Sequence, residues 1–200
     1  MYFPVYYALD IAASGFLAMA AASRGRSGGM PFTGAVALGC LAGLSSPLLR
    51  DVLLGFGAPA PLHDGGYAAC ALAGALAGWC LAAWRGLDAF FWSDAVSLGL
   101  ASAMGASRAA VLGLGPVGCL VLGMCAGSMG GVVRDVCLGD TPYTLTAEFH
   151  VTAGAMGCML ATGLAHMFFP GTVQVLAGGL FVVVLRVWGR RSAAAKGYVD

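Results

Sequence analysis

The chain has 200 residues, 60% of them hydrophobic and 10% charged, with a formal net charge of +1 and a mean hydropathy of +0.86. A water-facing surface needs roughly a quarter of the residues charged, so this composition excludes an ordinary soluble domain, and the near-neutral balance gives no bulk attraction to nucleic acid. It fits a single membrane domain over residues 1–200: a span takes about 20 apolar residues, and seven spans use most of the chain.

Taken in order, apolar runs and their breaks predict spans over 4–22, 32–56, 66–84, 88–106, 114–138, 148–169 and 172–188, with a short tail over 189–200 expected to fray. The start, Met1-Tyr2-Phe3-Pro4, lacks the basic region of a secretory signal, so the first run is expected to stay as a span. Breaks fall at Arg24 to Gly29, Gly57 to Pro61, Arg85-Gly86, Arg108, Asp140-Thr141-Pro142 and Pro170-Gly171. With the N-terminus outside, the inner segments hold Arg24, Arg26, Arg85, Arg186, Arg190, Arg191 and Lys196, and the outer segments hold only Arg108. The excess of Lys and Arg on cytoplasmic loops therefore predicts N-out, C-in.

The sequence repeats itself at an offset of 84. Asp10 matches Asp94, Ala22-Ser23-Arg24 matches Ala106-Ser107-Arg108, Ala42-Gly43 matches Ala126-Gly127, and Arg50-Asp51-Val52 matches Arg134-Asp135-Val136. Apolar chains give chance Leu and Gly matches, but not charged pairs in register. Each copy holds three spans, an odd number, so the second enters the membrane from the opposite side. The expected fold is two inverted three-helix repeats, over about 4–85 and 88–169, plus a seventh helix over about 172–188. Transport proteins commonly place their pathway at such a repeat interface, near interrupted helices.

Interruptions are expected in the second and fifth spans. Pro47, after Ser45-Ser46, lacks an N–H and crowds the preceding turn, so a kink is expected there. At the equivalent place, after Met129, Gly130-Gly131 weakens the helix. A mid-membrane break is tolerated only against protein or a wet cavity, and its carbonyls with the serine hydroxyls could coordinate a dehydrating cation. The rows Gly39-xxx-Gly43, Gly74-xxx-Gly78 and Gly123-xxx-Gly127-xxx-Gly131 present flat faces for close helix packing.

Charged residues inside spans are costly and face a partner or water. At 1.5 Å per residue, Asp10 and Arg50 lie at matching depth near the outer side, and Asp94 and Arg134 near the inner side, so these are the predicted pairs. Adjacent helical residues point about 100° apart, so Arg50 is not expected to pair with Asp51, and Asp51 and Asp135 should turn to helix-end loops or the repeat interface. Asp64 and Glu148 read as equivalent caps of the third and sixth spans. His63, His150 and His166 read as interfacial, as do Tyr2, Tyr6, Tyr7, Trp84, Trp92, Trp188 and Tyr198. The seven cysteines show no CxxC and no neighbouring His, so no metal site or cofactor is expected. With no intramembrane metal motif, Gly-x-Ser-x-Gly elbow or phosphate-binding loop, no enzyme is expected either.

The paired Arg-Asp motifs resemble the trimeric intracellular cation (TRIC) channel superfamily, and more closely its prokaryotic branch, also labelled a glycine transporter domain. That branch shows Gly-Gly-Gly-x-x-Arg-Asp once per repeat. The second copy here, Met129-Gly130-Gly131-Val132-Val133-Arg134-Asp135, is near it; the first keeps Arg50-Asp51 but has Ser45-Ser46-Pro47 in place of the glycines. The resemblance spans about residues 5–188. It implies a homotrimer in the cell (inner) membrane in which each subunit conducts monovalent cations, chiefly potassium, through its own pore, lined by the second and fifth spans. Ser45, Ser46, Pro47, Arg50, Asp51, Met129, Gly130, Gly131, Arg134 and Asp135 would line or gate that pore, with Asp10 and Asp94 as charge partners. A transporter of a small amino acid such as glycine is the alternative.

Overall fold

The computed structural model describes residues 4–55, 57–84, 88–146 and 148–195. All regular structure among them is helical: α1 (Pro4–Ser27), α2 (Phe32–Leu54), α3 (Ala60–His63), α4 (Gly65–Leu81), α5 (Ala89–Val111), α6 (Pro116–Leu138), α7 (Tyr143–Thr146), α8 (Glu148–His166) and α9 (Gly171–Ala195). Arg85, Gly86, Lys196, Tyr2, Tyr198 and the side chain of Glu148 lie outside the described residues.

Helix ends follow local chemistry. Gly55 closes α2 and Gly139 closes α6, both left-handed with φ of 69° and 75°, a conformation that costs glycine nothing. Asp64 caps α4 by accepting from the Gly66 N–H. Three helices run on well past their expected ends. α1 runs on to Ser27, because Ser23 donates to the Gly78 carbonyl and Arg26 to that of Trp79, tying its last turns to α4. α5 runs on to Val111. α9 continues to Ala195 and so absorbs most of the expected tail; Arg190 at its end pairs with Asp88 at the start of α5.

α5 is the central helix. Every residue from Ser97 to Ala109 is buried, and α1, α6, α8 and α9 pack around it. That position explains its composition: a helix enclosed by protein carries Ser93, Ser97, Ser102 and Ser107 without exposing hydroxyls to lipid. α1, α2, α6 and α9 are long and apolar enough to cross a membrane, while α4 is apolar but has only 17 residues.

Glycine lets these backbones touch within the chain. A Cβ on Gly74 or Gly78 would collide with the backbone of Gly15 or Met19, so α1 and α4 lie against each other with nothing between them. Gly39 and Gly43 serve the same purpose between α2 and α1, and Gly123 and Gly127 between α6 and α5.

The two halves correspond element by element. α2 and α6 each have 23 residues at an offset of 84, and the turns before them share a left-handed glycine, Gly29 and Gly113. Beyond them the offset becomes 83, because the loop 55–59 is one residue longer than 139–142. Glu148 therefore aligns with Gly65 rather than with Asp64, which corrects their reading as equivalent caps.

Candidate functional site: two buried charge clusters and a helix crossing

The first cluster forms at the end of the bundle where α1 and α4 begin and α2 and α5 finish. Asp10 accepts from Arg50 Nη1 at 2.5 Å through one carboxylate oxygen, and from Arg108 Nη2 at 2.5 Å and the Tyr67 hydroxyl at 2.6 Å through the other. Arg50 Nε also donates to Asp51 at 2.9 Å, Arg108 lies 3.7 Å from the same oxygen, and the Ala60 N–H caps the other Asp51 oxygen at 3.0 Å.

The second cluster forms at the opposite end, where α5 and α8 begin and α6 and α9 finish. Asp94 accepts from Arg134 at 2.9 Å and from Arg186 at 2.7 Å. Arg134 donates through two nitrogens to Asp135, at 2.6 and 3.0 Å, and the Tyr143 N–H reaches Asp135 at 2.7 Å. His150 sits between Arg186, 2.7 Å from Nδ1, and Thr144, 3.5 Å from Nε2. Because guanidinium only donates, Nδ1 is the accepting nitrogen. Phe90 stacks on Arg134, and Phe91 and Tyr143 flank Arg186.

Each cluster sets two carboxylates against two guanidinium groups and is neutral apart from His150. Such neutrality is required of charges this deep, since an isolated ion there faces a prohibitive desolvation cost. Both pairings predicted from depth, Asp10–Arg50 and Asp94–Arg134, are present. The expectation that Arg50 avoids Asp51 is wrong, and the same holds for Arg134 and Asp135. Their Cβ atoms do diverge, but arginine's long side chain curls back at a helix end to reach the neighbouring carboxylate. The helix-end loops do supply the remaining donors to Asp51 and Asp135, as expected.

Arg108 and Arg186, read from sequence as loop and tail residues, are 9% and 4% exposed and belong to the clusters. His150 is 2% exposed rather than interfacial, because the first turn of α8 packs over Arg186. Trp84, Trp92 and Trp188 are exposed as a membrane belt requires.

Between the clusters, α2 crosses α6. Ser46 Oγ donates to the Ala126 carbonyl at 2.5 Å; reciprocally, a Cβ on Gly130 would lie 2.8 Å from the Ala42 carbonyl and collide with the Leu17 side chain. Positions 42 and 46 correspond to 126 and 130 in the repeat, so the crossing is symmetric. Neither helix breaks there: α2 runs unbroken through Pro47, and α6 through Gly130-Gly131. This corrects the expected interruptions. Proline removes a single donor, and Gly130 is needed for close approach rather than for a break. Ser45 also spends its proton, on the Ala42 carbonyl at 2.7 Å. Gly131 faces the Thr144 hydroxyl. No group of three or more His, Cys, Asp or Glu side chains arranged to hold a metal occurs among the described residues.

A family profile described as Glycine transporter matches residues 7–83 and matches again over 91–166. The chain belongs to this family, within the TRIC superfamily. It is 32% identical over 164 residues to a UPF0126 membrane protein of Deinococcus radiodurans, covering 79% of this chain and 74% of that one. A UPF0126 membrane protein of Vibrio cholerae is 24% identical over 94 residues, 47% of this chain and 39% of that one. Among solved structures, a prokaryotic TRIC channel superposes with a TM-score of 0.87 at 22% identity, covering 96% of this chain and 98% of that one. The TRIC trimeric intracellular cation channel orthologue from Rhodobacter sphaeroides gives 0.84 at 26% identity, with 94% and 97% covered. The double profile match begins at positions 84 residues apart, the offset that relates the clusters of this family member to each other.

Proposed function

We propose that the chain is a multi-pass channel of the cell (inner) membrane that conducts monovalent cations, chiefly potassium, through a pore within each subunit of a homotrimer. The observation that carries this reading is the backbone match, at a TM-score of 0.87 over 96% of the chain, to a prokaryotic TRIC channel. In this reading α1, α2, α4, α5, α6, α8 and α9 are the seven spans. Repeat one covers about 4–85, repeat two about 88–169, inserted in the opposite sense, and α9 follows as a seventh helix. Once Arg108 and Arg186 are assigned to buried clusters, the remaining basic residues at the helix ends among the described residues, Arg24, Arg26, Arg190 and Arg191, fall on the side holding the second cluster, which supports N-out, C-in.

The pore runs between α2 and α6. Ser45, Ser46, Pro47, Met129, Gly130 and Gly131 line its waist, and Arg50, Asp51, Arg134 and Asp135 guard its two ends, with Asp10 and Asp94 holding the arginines. A free guanidinium at a pore mouth repels cations; one neutralised by two carboxylates does not. The crossing of α2 and α6 is the gate, since backbone contact there leaves no width until the helices part.

The test is flux of potassium and of glycine into proteoliposomes, with single-channel recording of the same preparation. Unitary potassium currents, altered by Arg50→Gln or Arg134→Gln, are the expected result. Saturable, gradient-coupled glycine uptake without unitary steps would overturn the channel in favour of the transport that the family's description suggests.

A further inference from the structure

The two clusters differ in one respect that the repeat does not explain. In the first, Asp10 of α1 takes its second cation from Arg108 of α5. α1 and α5 run antiparallel, since the start of one meets the end of the other. In an antiparallel pair, residues at one level have numbers adding to a constant, and Asp10 with Arg108 gives the same total as Arg24 with Asp94. Repeat symmetry and helix register therefore both assign Arg24 to Asp94. Yet Asp94 is held instead by Arg186 of α9, a helix with no counterpart in repeat one. Arg24 waits next to the site: it stacks on one face of Phe90, 5.7 Å from the centroid, while buried Arg134 stacks on the same ring at 4.8 Å. Its only carboxylate contact among the described residues is with half-exposed Asp140 at 3.4 Å, with the Arg24 side chain itself 50% exposed.

We propose that Arg24 and Arg186 are alternative partners for Asp94, so that the last turns of α9 form a latch on the inner cluster. In the latched state Arg186 holds Asp94 and His150. In the second state Phe90 turns aside, Arg24 moves onto Asp94, and Arg186 leaves with the end of α9 toward the water interface, where a long cationic side chain is readily solvated. The exchange keeps the cluster neutral, because one guanidinium replaces another. Its cost is the buried hydrogen bond from Arg186 to His150 and the Arg186 contacts with Phe91 and Tyr143; the Arg24–Asp140 contact and the Arg190–Asp88 pair, also given up, are exposed and contribute little. Arg24 and Arg186 are positioning residues for Asp94. The consequence for conduction rests on the channel reading, but the exchange itself does not.

The experiment is a double-mutant cycle on the full chain in detergent micelles, read by thermal unfolding, with hydrogen exchange of residues 184–195 as a second readout. Arg24→Gln alone should leave the midpoint within about 2 °C of the parent and slow exchange at the end of α9. Arg186→Gln should lower the midpoint by less than half the drop seen for Arg108→Gln, which has no substitute, while exchange at the end of α9 speeds up. Arg24→Gln with Arg186→Gln should match the Arg108→Gln loss, roughly 6–20 °C, and exceed the sum of the singles. Arg24→Lys should keep the substitution at Arg186 mild. Additive singles, or an Arg186→Gln as damaging as Arg108→Gln, would overturn the latch. So would exchange at α9 that is indifferent to Arg24, and that measurement needs only the mild Arg24→Gln protein.

Discussion

Asp94→Asn is the sharpest test of the buried clusters as the charged framework of the fold. Asp94 is 2% exposed and balances Arg134 and Arg186 at 2.9 and 2.7 Å. The amide has nearly the shape of the carboxylate, so packing is kept while one negative charge disappears. The cluster is then left with Arg134 and Arg186 against Asp135 alone. Removing one partner of a buried pair costs about 3–5 kcal/mol, and for a chain of this size each kcal/mol moves the unfolding midpoint by roughly 2–4 °C. The expected drop is therefore about 6–20 °C in detergent micelles, followed by far-ultraviolet circular dichroism. The matched control is Asp140→Asn, whose side chain is 48% exposed and whose ion pair with Arg24 is at 3.4 Å. An exposed pair contributes about 0–1 kcal/mol, so the control should move by no more than about 4 °C. An Asp94→Asn protein within 2 °C of the parent would mean that the cluster is hydrated and its charges screened, and the reasoning about neutrality would fail.

Tyr67→Phe removes only the hydroxyl that donates to Asp10 at 2.6 Å. A hydrogen bond to a charged group contributes about 1.5–3 kcal/mol, so the same assay should show a midpoint lower by roughly 3–12 °C; no change would mean the Asp10 carboxylate is satisfied without it. Gly130→Ala places a methyl group against Leu17 and the Ala42 carbonyl and should destabilise by about 1–3 kcal/mol through overpacking. Gly163→Ala, where nothing lies within 4 Å of the new methyl, should instead stabilise by about 0.5–1 kcal/mol. Equal effects at the two glycines would show that α2 and α6 do not touch at Gly130.

The fold is largely legible in the sequence because its signals are local. Apolar run length marks the helices, the 84-residue echo marks the correspondence of the halves, and depth along each span pairs Asp10 with Arg50 and Asp94 with Arg134. What the sequence hides depends on where neighbours sit. Arg108 and Arg186 look like loop and tail cations because each lies near a helix end, and nothing local says that α5 and α9 carry those ends inward. The repeat does hold a hint: a buried carboxylate has two oxygens to satisfy, Arg50 and Arg134 each occupy one, and Arg108 stands at the level of Asp10 on an antiparallel neighbour. Tyr67 and His150 occupy one position in the two halves at an offset of 83, which the 84-residue register leaves unaligned. The breaks expected at Pro47 and Gly130-Gly131 fail for a different reason. Helix-weakening residues end hydrogen bonding only where nothing supports the backbone, and packing by α1 and by the opposite repeat holds both helices intact.

The arrangement of charge and glycine also explains why this bundle tolerates so many polar groups in an apolar chain. Ionised side chains are gathered near the two ends of the helices, four to a cluster, and the level between them is left to small residues whose backbones touch. If the charges stood at the crossing instead, glycine-close packing would be impossible, because a guanidinium needs the space that Gly130, Ser46 and Ala42 deny it. If the glycines stood at the ends, the arginines would lack the apolar stems and aromatic faces, such as Phe90 and Phe91, that shield them. Each cluster also draws its groups from several helices, so the ends resist separation while the waist is held by van der Waals contact and one hydrogen bond from Ser46. A bundle built this way yields first at its middle. That ordering is open to measurement: amides flanking Ala42 and Ala126 should exchange with solvent before those flanking Arg50 and Arg134, and the reverse order would place the weak point at the ends.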